Sequence, residues 1–165
     1  MKRSVKILWR LFLGGFILVI LLFVCANFGV FGKMPSVAEL ENPEADLASE
    51  IISADGMLMG KYYTENRSEV KYQEISPNVV NALIATEDER FYDHSGIDAQ
   101  AVARAVATLG AQGGGSTITQ QLAKMMLKQG SGNIVKRGID KMKAWIVAVK
   151  LERNFTKEEI ITLYL

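Results

Sequence analysis

Histidine and cysteine occur once each in the 165 residues, and proline three times. A lone cysteine forms no intrachain disulfide and builds no multi-thiolate zinc centre, and a lone histidine excludes any site that needs two imidazoles. Charge of one sign is also scarce: nineteen Lys and Arg against eighteen Asp and Glu leave a formal net charge of +1. That balance gives no sign of the strongly basic surface of a nucleic-acid binder. Charged residues make up 22% of the chain and hydrophobic ones 49%, too apolar for a disordered segment. The length suits one domain able to bury a core.

Acids are missing altogether from residues 1–33, which carry Lys2, Arg3, Lys6, Arg10 and Lys33. Between Arg10 and Lys33 runs LFLGGFILVILLFVCANFGVFG, whose only conventional polar side chain is Asn27. A bilayer core needs about 20 apolar residues in a helix, and this run meets that length. We therefore read residues 1–10 as a cytoplasmic tail and 11–31 as a transmembrane anchor. The basic residues before it place the N-terminus in the cytoplasm and the rest of the chain outside, periplasmic or extracellular. A cleavable signal peptide is the competing reading, but its apolar region is shorter, roughly 7–15 residues. Cys25 reads as a small apolar residue of the anchor.

Residues 32–50 are acidic, hold two of the prolines, and are expected to form a linker. In 51–75, Asp55-Gly56 lies between β-prone runs, which predicts two or three short strands around a hairpin turn. From 76 the pattern is helical. Ser76-Pro77 marks an N-cap and first helical residue, followed by Val80, Leu83, Ile84 and Glu87 on one face. A second helix is expected from Asp98 through Leu109 until Gly110 and Gly113-Gly114-Gly115 break it. A third spans about 116–128 with Ile118, Leu122 and Met125 buried. A fourth covers about 134–153 with Ile139, Met142, Ile146 and Val149 spaced for burial. Thr156 and Glu159 form a capping box that opens a last helix containing Ile160, Leu163 and Leu165. That helix is still running where the sequence stops, the pattern of a fragment.

Charge is segregated along the chain. Residues 34–98 hold fourteen acids and four bases, whereas 99–165 hold ten bases and four acids. Solvated helix faces of opposite sign explain most of this. An acidic catalytic element opposite a basic pocket explains it too. Glu87 sits on the apolar side of its helix, where burial would raise its pKa as a general acid or base requires, with Asp88, Glu89 and Asp93 adding like charge. An ion pair at a helix end accounts for Glu87 equally well. His94 beside these carboxylates offers one imidazole to a metal, but a hydrogen-bonded histidine at a turn is the simpler reading. Phe91 reads as a core anchor.

The loop Gly113-Gly114-Gly115 feeds a helix N-terminus, a geometry that exposes N–H groups to an anion. No Gly-Lys-Ser/Thr follows, so it is not a Walker loop. Ser116, Gln120 and Lys124 recur four residues apart, and Thr117, Gln121 and Lys128 run parallel, predicting a donor-rich face under an anion site.

EDERFYDHSG (87–96) and GGSTITQQLAK (114–124) resemble the first two signature motifs of the peptidoglycan glycosyltransferases, family 51. These form the N-terminal domains of class A penicillin-binding proteins and the monofunctional glycosyltransferases. LERNFTKEEIITLYL (151–165) is similar to the fourth motif. The resemblance implies a mainly α, lysozyme-like domain in 76–165 with the small β element of 51–75 before it, behind one transmembrane helix at the outer face of the cytoplasmic membrane. It implies polymerisation of lipid II into glycan strands, with release of undecaprenyl pyrophosphate and inversion at the anomeric carbon, within a cell-wall synthesis complex.

By the same resemblance Glu87 is the general base. Asp88, Ser116, Thr117, Gln121, Lys124 and Lys141 contact donor phosphate and sugar, and Phe91, His94, Gly114 and Gly115 shape the site. No cofactor would be held by side chains alone; Mg2+ or Mn2+, where used, would bind through the substrate pyrophosphate. The third motif, Arg-Lys-x-x-Glu, falls by spacing on Asp140 to Ala144, keeping Lys141 but replacing the arginine with Asp140 and the glutamate with Ala144. The fifth motif and any transpeptidase domain lie beyond Leu165. A fragment that only binds lipid II or glycan fits these departures. A lysozyme-like glycosidase fits the helices but needs two carboxylates flanking the bond.

Overall fold

The computed structural model describes residues 3–41, 49–62, 70–111 and 113–165. It begins with α1, Arg3–Asn27, a 25-residue helix whose apolar side chains from Ile7 to Leu21 are uncovered. The helix stops at Asn27 rather than at residue 31, because Gly29 (φ +78°) and Gly32 (φ +109°) turn the chain. The expected linker is not a spacer in its described part. Lys33 pairs with Glu39 at 2.5 Å, and a short helix α2, Val37–Glu41, buries Leu40 in the core beside Met34. Residues 42–48 of that segment, and 63–69 of the next, lie outside the described residues.

Strands β1 (Ser49–Ile52) and β2 (Leu58–Tyr62) pair antiparallel, with a bulge between Ile51 and Ile52. Their turn is the expected one: Gly56 takes φ +82° and donates its N–H to the Ser53 carbonyl at 2.9 Å. A 3₁₀ turn at Tyr72–Glu74 leads into α3, Pro77–Glu87. Ser76 precedes α3 in extended backbone but makes no side-chain cap bond, so Pro77 at the first position is the operative start signal.

Helix α4, Ala99–Ala107, is capped by Asp98, whose Oδ1 accepts from the N–H groups of Gln100 and Ala101 at 2.9 and 3.0 Å. It ends two residues earlier than expected: Leu109 adopts φ +48°, followed by Gly110 at +82°. Its apolar stripe is not buried either, with Leu109 95% exposed and Val106 70%. Helices α5 (Ile118–Met126), α6 (Ile134–Asn154) and α7 (Lys157–Tyr164) carry most of the core. On α5 the stripe runs Ile118, Leu122, Met126, and Met125, expected inside, is exposed.

On α6 the expected set Ile139, Met142, Ile146 and Val149 is only half-buried, and Ala144, Val147, Ala148 and Leu151 are fully buried. Small side chains let helices approach closely, and α5 with α6 forms the most extensive helix pairing. Trp145, Ile146 and Val149 of α6 lie beside that face, toward the end of α1, where the Phe23 and Trp145 rings meet tilted at 6.3 Å between centroids. On α7 the buried pair is Ile160 and Ile161, and of the apolar residues expected in this helix Leu163 is half-buried and Leu165 exposed.

Gly96 makes a tight backbone contact near the site. It takes φ +85°, and a Cβ there would lie 3.0 Å from the Ala148 carbonyl oxygen on α6. Gly96→Ala is expected to destabilise the protein by roughly 1–3 kcal/mol. Gly114→Ala, with open space at its Cβ, should shift stability by under about 1 kcal/mol. Denaturant unfolding of the two variants side by side measures the contrast.

Candidate active site

Asp88 organises the region. Helix α3 ends at Glu87, and Asp88 (φ −160°) turns inward to 8% exposure. Its Oδ2 accepts the backbone N–H of Ile118, thirty residues on, at 3.0 Å. Both of its oxygens lie 3.1 Å from His94 Nε2. The Gly96 N–H donates to His94 Nδ1 at 3.2 Å, so the ring carries its proton on Nε2 and gives it to Asp88. The first N–H groups of a helix lack intrahelical partners and favour an anion. At the start of α5 that anion is the protein's own Asp88, rather than the substrate group anticipated from the glycine loop.

The same turn corrects the donor-rich face. Thr117, 1% exposed, caps α5 by accepting the Gln120 N–H, and its Oγ1 donates to the Gly96 carbonyl at 2.7 Å. Gln120 is buried too, and its Nε2 donates to the same carbonyl at 3.1 Å. Both residues hold the 94–96 turn from inside. Gly115 is buried with its Cβ position 3.0 Å from the Ala101 carbonyl, whereas Gly114 and Ser116 stay exposed. Lys124 is exposed on α5 and Lys141 on α6, and among the described residues no hydrogen bond or ion pair joins either to Glu87.

Glu87 is exposed, contrary to its expected burial. Its position follows the apolar face of α3, but the helix ends on it, so the side chain extends past the covered turns. It is nevertheless held. Gln121 Nε2 donates to Glu87 Oε2 at 2.8 Å, and Tyr164 of α7 donates its hydroxyl to Gln121 Oε1 at 3.0 Å. The tyrosine fixes which end of the amide faces the carboxylate, so the amide presents only donors to Glu87. Burial raises the Tyr164 pKa, and the Glu87 charge pushes the same way, which keeps the hydroxyl a donor.

Behind this chain lies a second set of groups, in which sequence reasoning named Phe91 and His94 but missed Lys157, Glu152 and Thr119. Phe91 is fully buried, and Lys157 Nζ sits 4.2 Å from its ring centroid. The same ammonium donates to the His94 carbonyl at 2.7 Å and lies 2.9 Å from the Glu152 carboxylate. Thr119 Oγ1 donates to Glu152 at 2.6 Å. The available signal was polar Thr119 and Gln120 directly after a buried isoleucine, and Glu152 and Lys157 on either side of the helix break at Phe155. Arg90 donates through Nε and Nη2 to Asp98 Oδ2 at 3.0 and 2.6 Å, tying the first motif to α4. Ala144 is in the core, so the position where the family carries a glutamate here fills apolar space.

Comparison with known families identifies this chain with one of them, the Transglycosylase family. Residues 55–165 match that family, and the chain belongs to it. Its mainly α, lysozyme-like architecture with one small sheet follows from the match. The chain is 37% identical over 137 residues to penicillin-binding protein 1A of Escherichia coli (81% of this chain, 16% of that protein). It is 42% identical over 122 residues to penicillin-binding protein 1F of Bacillus subtilis (72% and 16%). With penicillin-binding protein 1A of Neisseria cinerea identity is 34% over 167 residues, covering 99% of this chain and 20% of that one. The chain therefore spans about a sixth to a fifth of the length of these curated relatives.

Two predictions concern the bracing. Lys157→Met leaves Glu152, whose side chain is only 6% exposed, without its cation, and should cost about 3–5 kcal/mol of unfolding free energy. Adding Glu152→Gln should recover part of that loss in the same denaturant titration. Asp98 gives a pH signature. Burial works to raise its pKa, but the Ala101 and Gln100 N–H groups and Arg90 outweigh it and hold the pKa below the ordinary aspartate value. The resulting stability is complete above that ordinary value and is lost as pH falls through the depressed one. Asp98→Asn should flatten this acid limb in thermal unfolding across pH 2 to 6.

Proposed function

We propose that this chain is a membrane-anchored peptidoglycan glycosyltransferase that polymerises lipid II, with Glu87 as general base. The observation that carries the reading is the Tyr164–Gln121–Glu87 chain. It holds an accessible carboxylate in one orientation, as an acceptor with one oxygen left for substrate. Glu87 takes the proton of the acceptor sugar hydroxyl as that oxygen bonds to the anomeric carbon of the donor. The bond from that carbon to the pyrophosphate oxygen breaks, and undecaprenyl pyrophosphate leaves with inversion. Exposed Lys124 and Lys141 supply positive charge for the leaving group, and Ser116 and Gly114 border the donor.

Asp88, Thr117, Phe91, His94 and Gly115 are positioning residues in this scheme, because their polar atoms or surfaces are taken up by the protein itself. Mg2+ or Mn2+ would be carried by the pyrophosphate. The buried carboxylates Asp88 and Glu152 are each engaged by protein donors and do not fit as a side-chain cage. The apolar length of α1 supports the anchor, and Arg3, Lys6 and Arg10 at its start support an inward N-terminus with the site outside. Growing glycan strand and other cell-wall synthesis proteins are the partners this reading implies.

Burial of Ala144 favours a second reading, lipid II binding without turnover. Polymerisation of labelled lipid II in liposomes separates the two. Glu87→Gln should lower turnover by about 10²–10⁴-fold. Tyr164→Phe, which frees the Gln121 amide to rotate, should lower kcat by about tenfold with KM little changed. A chain that binds lipid II yet forms no polymer, with native helix content, would establish the binding reading instead.

A further inference from the structure

The end of α1 and one face of α6 enclose a groove of about 300 Å³, lined by Phe23, Asn27, Ile97, Trp145, Lys150 and Arg153 among others. The geometry points to a binding site for one anionic phospholipid of the leaflet that meets the domain, and this rests on the reading of α1 as an anchor. Phe23 lies thirteen residues past Arg10, about 20 Å of helix within a hydrocarbon core of about 30 Å. Trp145 packs on Phe23 and so shares that depth. Asn27, one turn further along α1, approaches the headgroup level.

Lys150 and Arg153 line the same groove as Phe23 and Trp145, so a phosphate whose acyl chain lies on the aromatic floor has two cations beside it. Among the described residues no carboxylate pairs with either cation, and the adjacent Glu152 is committed to Lys157. The Trp145 indole N–H is buried and has no acceptor among the described residues. Apolar floor and paired cations match an anionic phospholipid, whereas a zwitterionic headgroup brings its own ammonium toward the same two cations.

The test uses the chain's two tryptophans, Trp9 and Trp145, in phosphatidylcholine vesicles containing a low mole fraction of brominated lipid. In a Trp9→Phe background, brominated phosphatidylglycerol should quench Trp145 more than brominated phosphatidylcholine does, reflecting local enrichment of about fivefold or more. Lys150→Gln with Arg153→Gln should bring the two quenchers to parity while circular dichroism stays unchanged. Equal quenching with both cations in place would overturn the proposal. In a Trp145→Phe background, Trp9 reports the anchor alone. Trp9 quenched with Trp145 indifferent to headgroup discards only the groove, whereas Trp9 unquenched by either lipid discards the anchor and the groove together.

Discussion

Everything around the candidate site depends on where one buried carboxylate finds its donors. Asp88 joins the end of α3 to the first turn of α5 through Ile118, and it orients His94 at the same time. His94 in turn accepts from Gly96, and the Gly96 carbonyl collects Thr117 and Gln120. Two segments thirty residues apart thus become one hydrogen-bonded block. An unpaired buried carboxylate costs several kcal/mol, and this network leaves neither oxygen of Asp88 unpaired. Exposed Glu87 inherits its placement from the block, since its neighbour along the chain cannot move.

The division between Glu87 and Asp88 is a division of labour by exposure. The buried residue spends its charge on the scaffold, and the exposed one keeps an oxygen that no donor among the described residues engages. Lys157 extends the scaffold across the molecule, because its ammonium touches the His94 carbonyl, the Phe91 ring and Glu152 at once. Packing and polar bracing therefore converge on the turn at 91–96 from α5, α6 and α7.

Much of this was legible in the sequence, and the misses have particular causes. The Asp55-Gly56 hairpin, the Thr156 and Glu159 capping box and the helix beginnings at Pro77 and Asp98 depend on local chemistry, and they appear where that chemistry puts them. Periodicity did worse wherever a helix meets two different neighbours. On α6 it favoured the bulky residues, but the closest approach belongs to Ala144 and Ala148. It also placed Glu87 inside by extending a face past the point where its helix ends. The pairing of Glu87 with Gln121 follows from the motifs only once they are side by side in space. Nothing local announces that Gln120 turns inward while Gln121 turns out.

The packing of Trp145 on Phe23 bears on reach. A domain hung from a flexible tether samples heights above a membrane according to chain entropy, and its site meets a lipid-linked molecule only as often as that sampling allows. Here the last turns of α1 are seated against α6, and Ala26 is buried. With α1 in a bilayer, the Glu87 carboxylate stands at an altitude set by packed side chains. Under the proposed function the helix works as a gauge, matching the site to substrates whose reacting sugar is carried at one fixed distance from the surface.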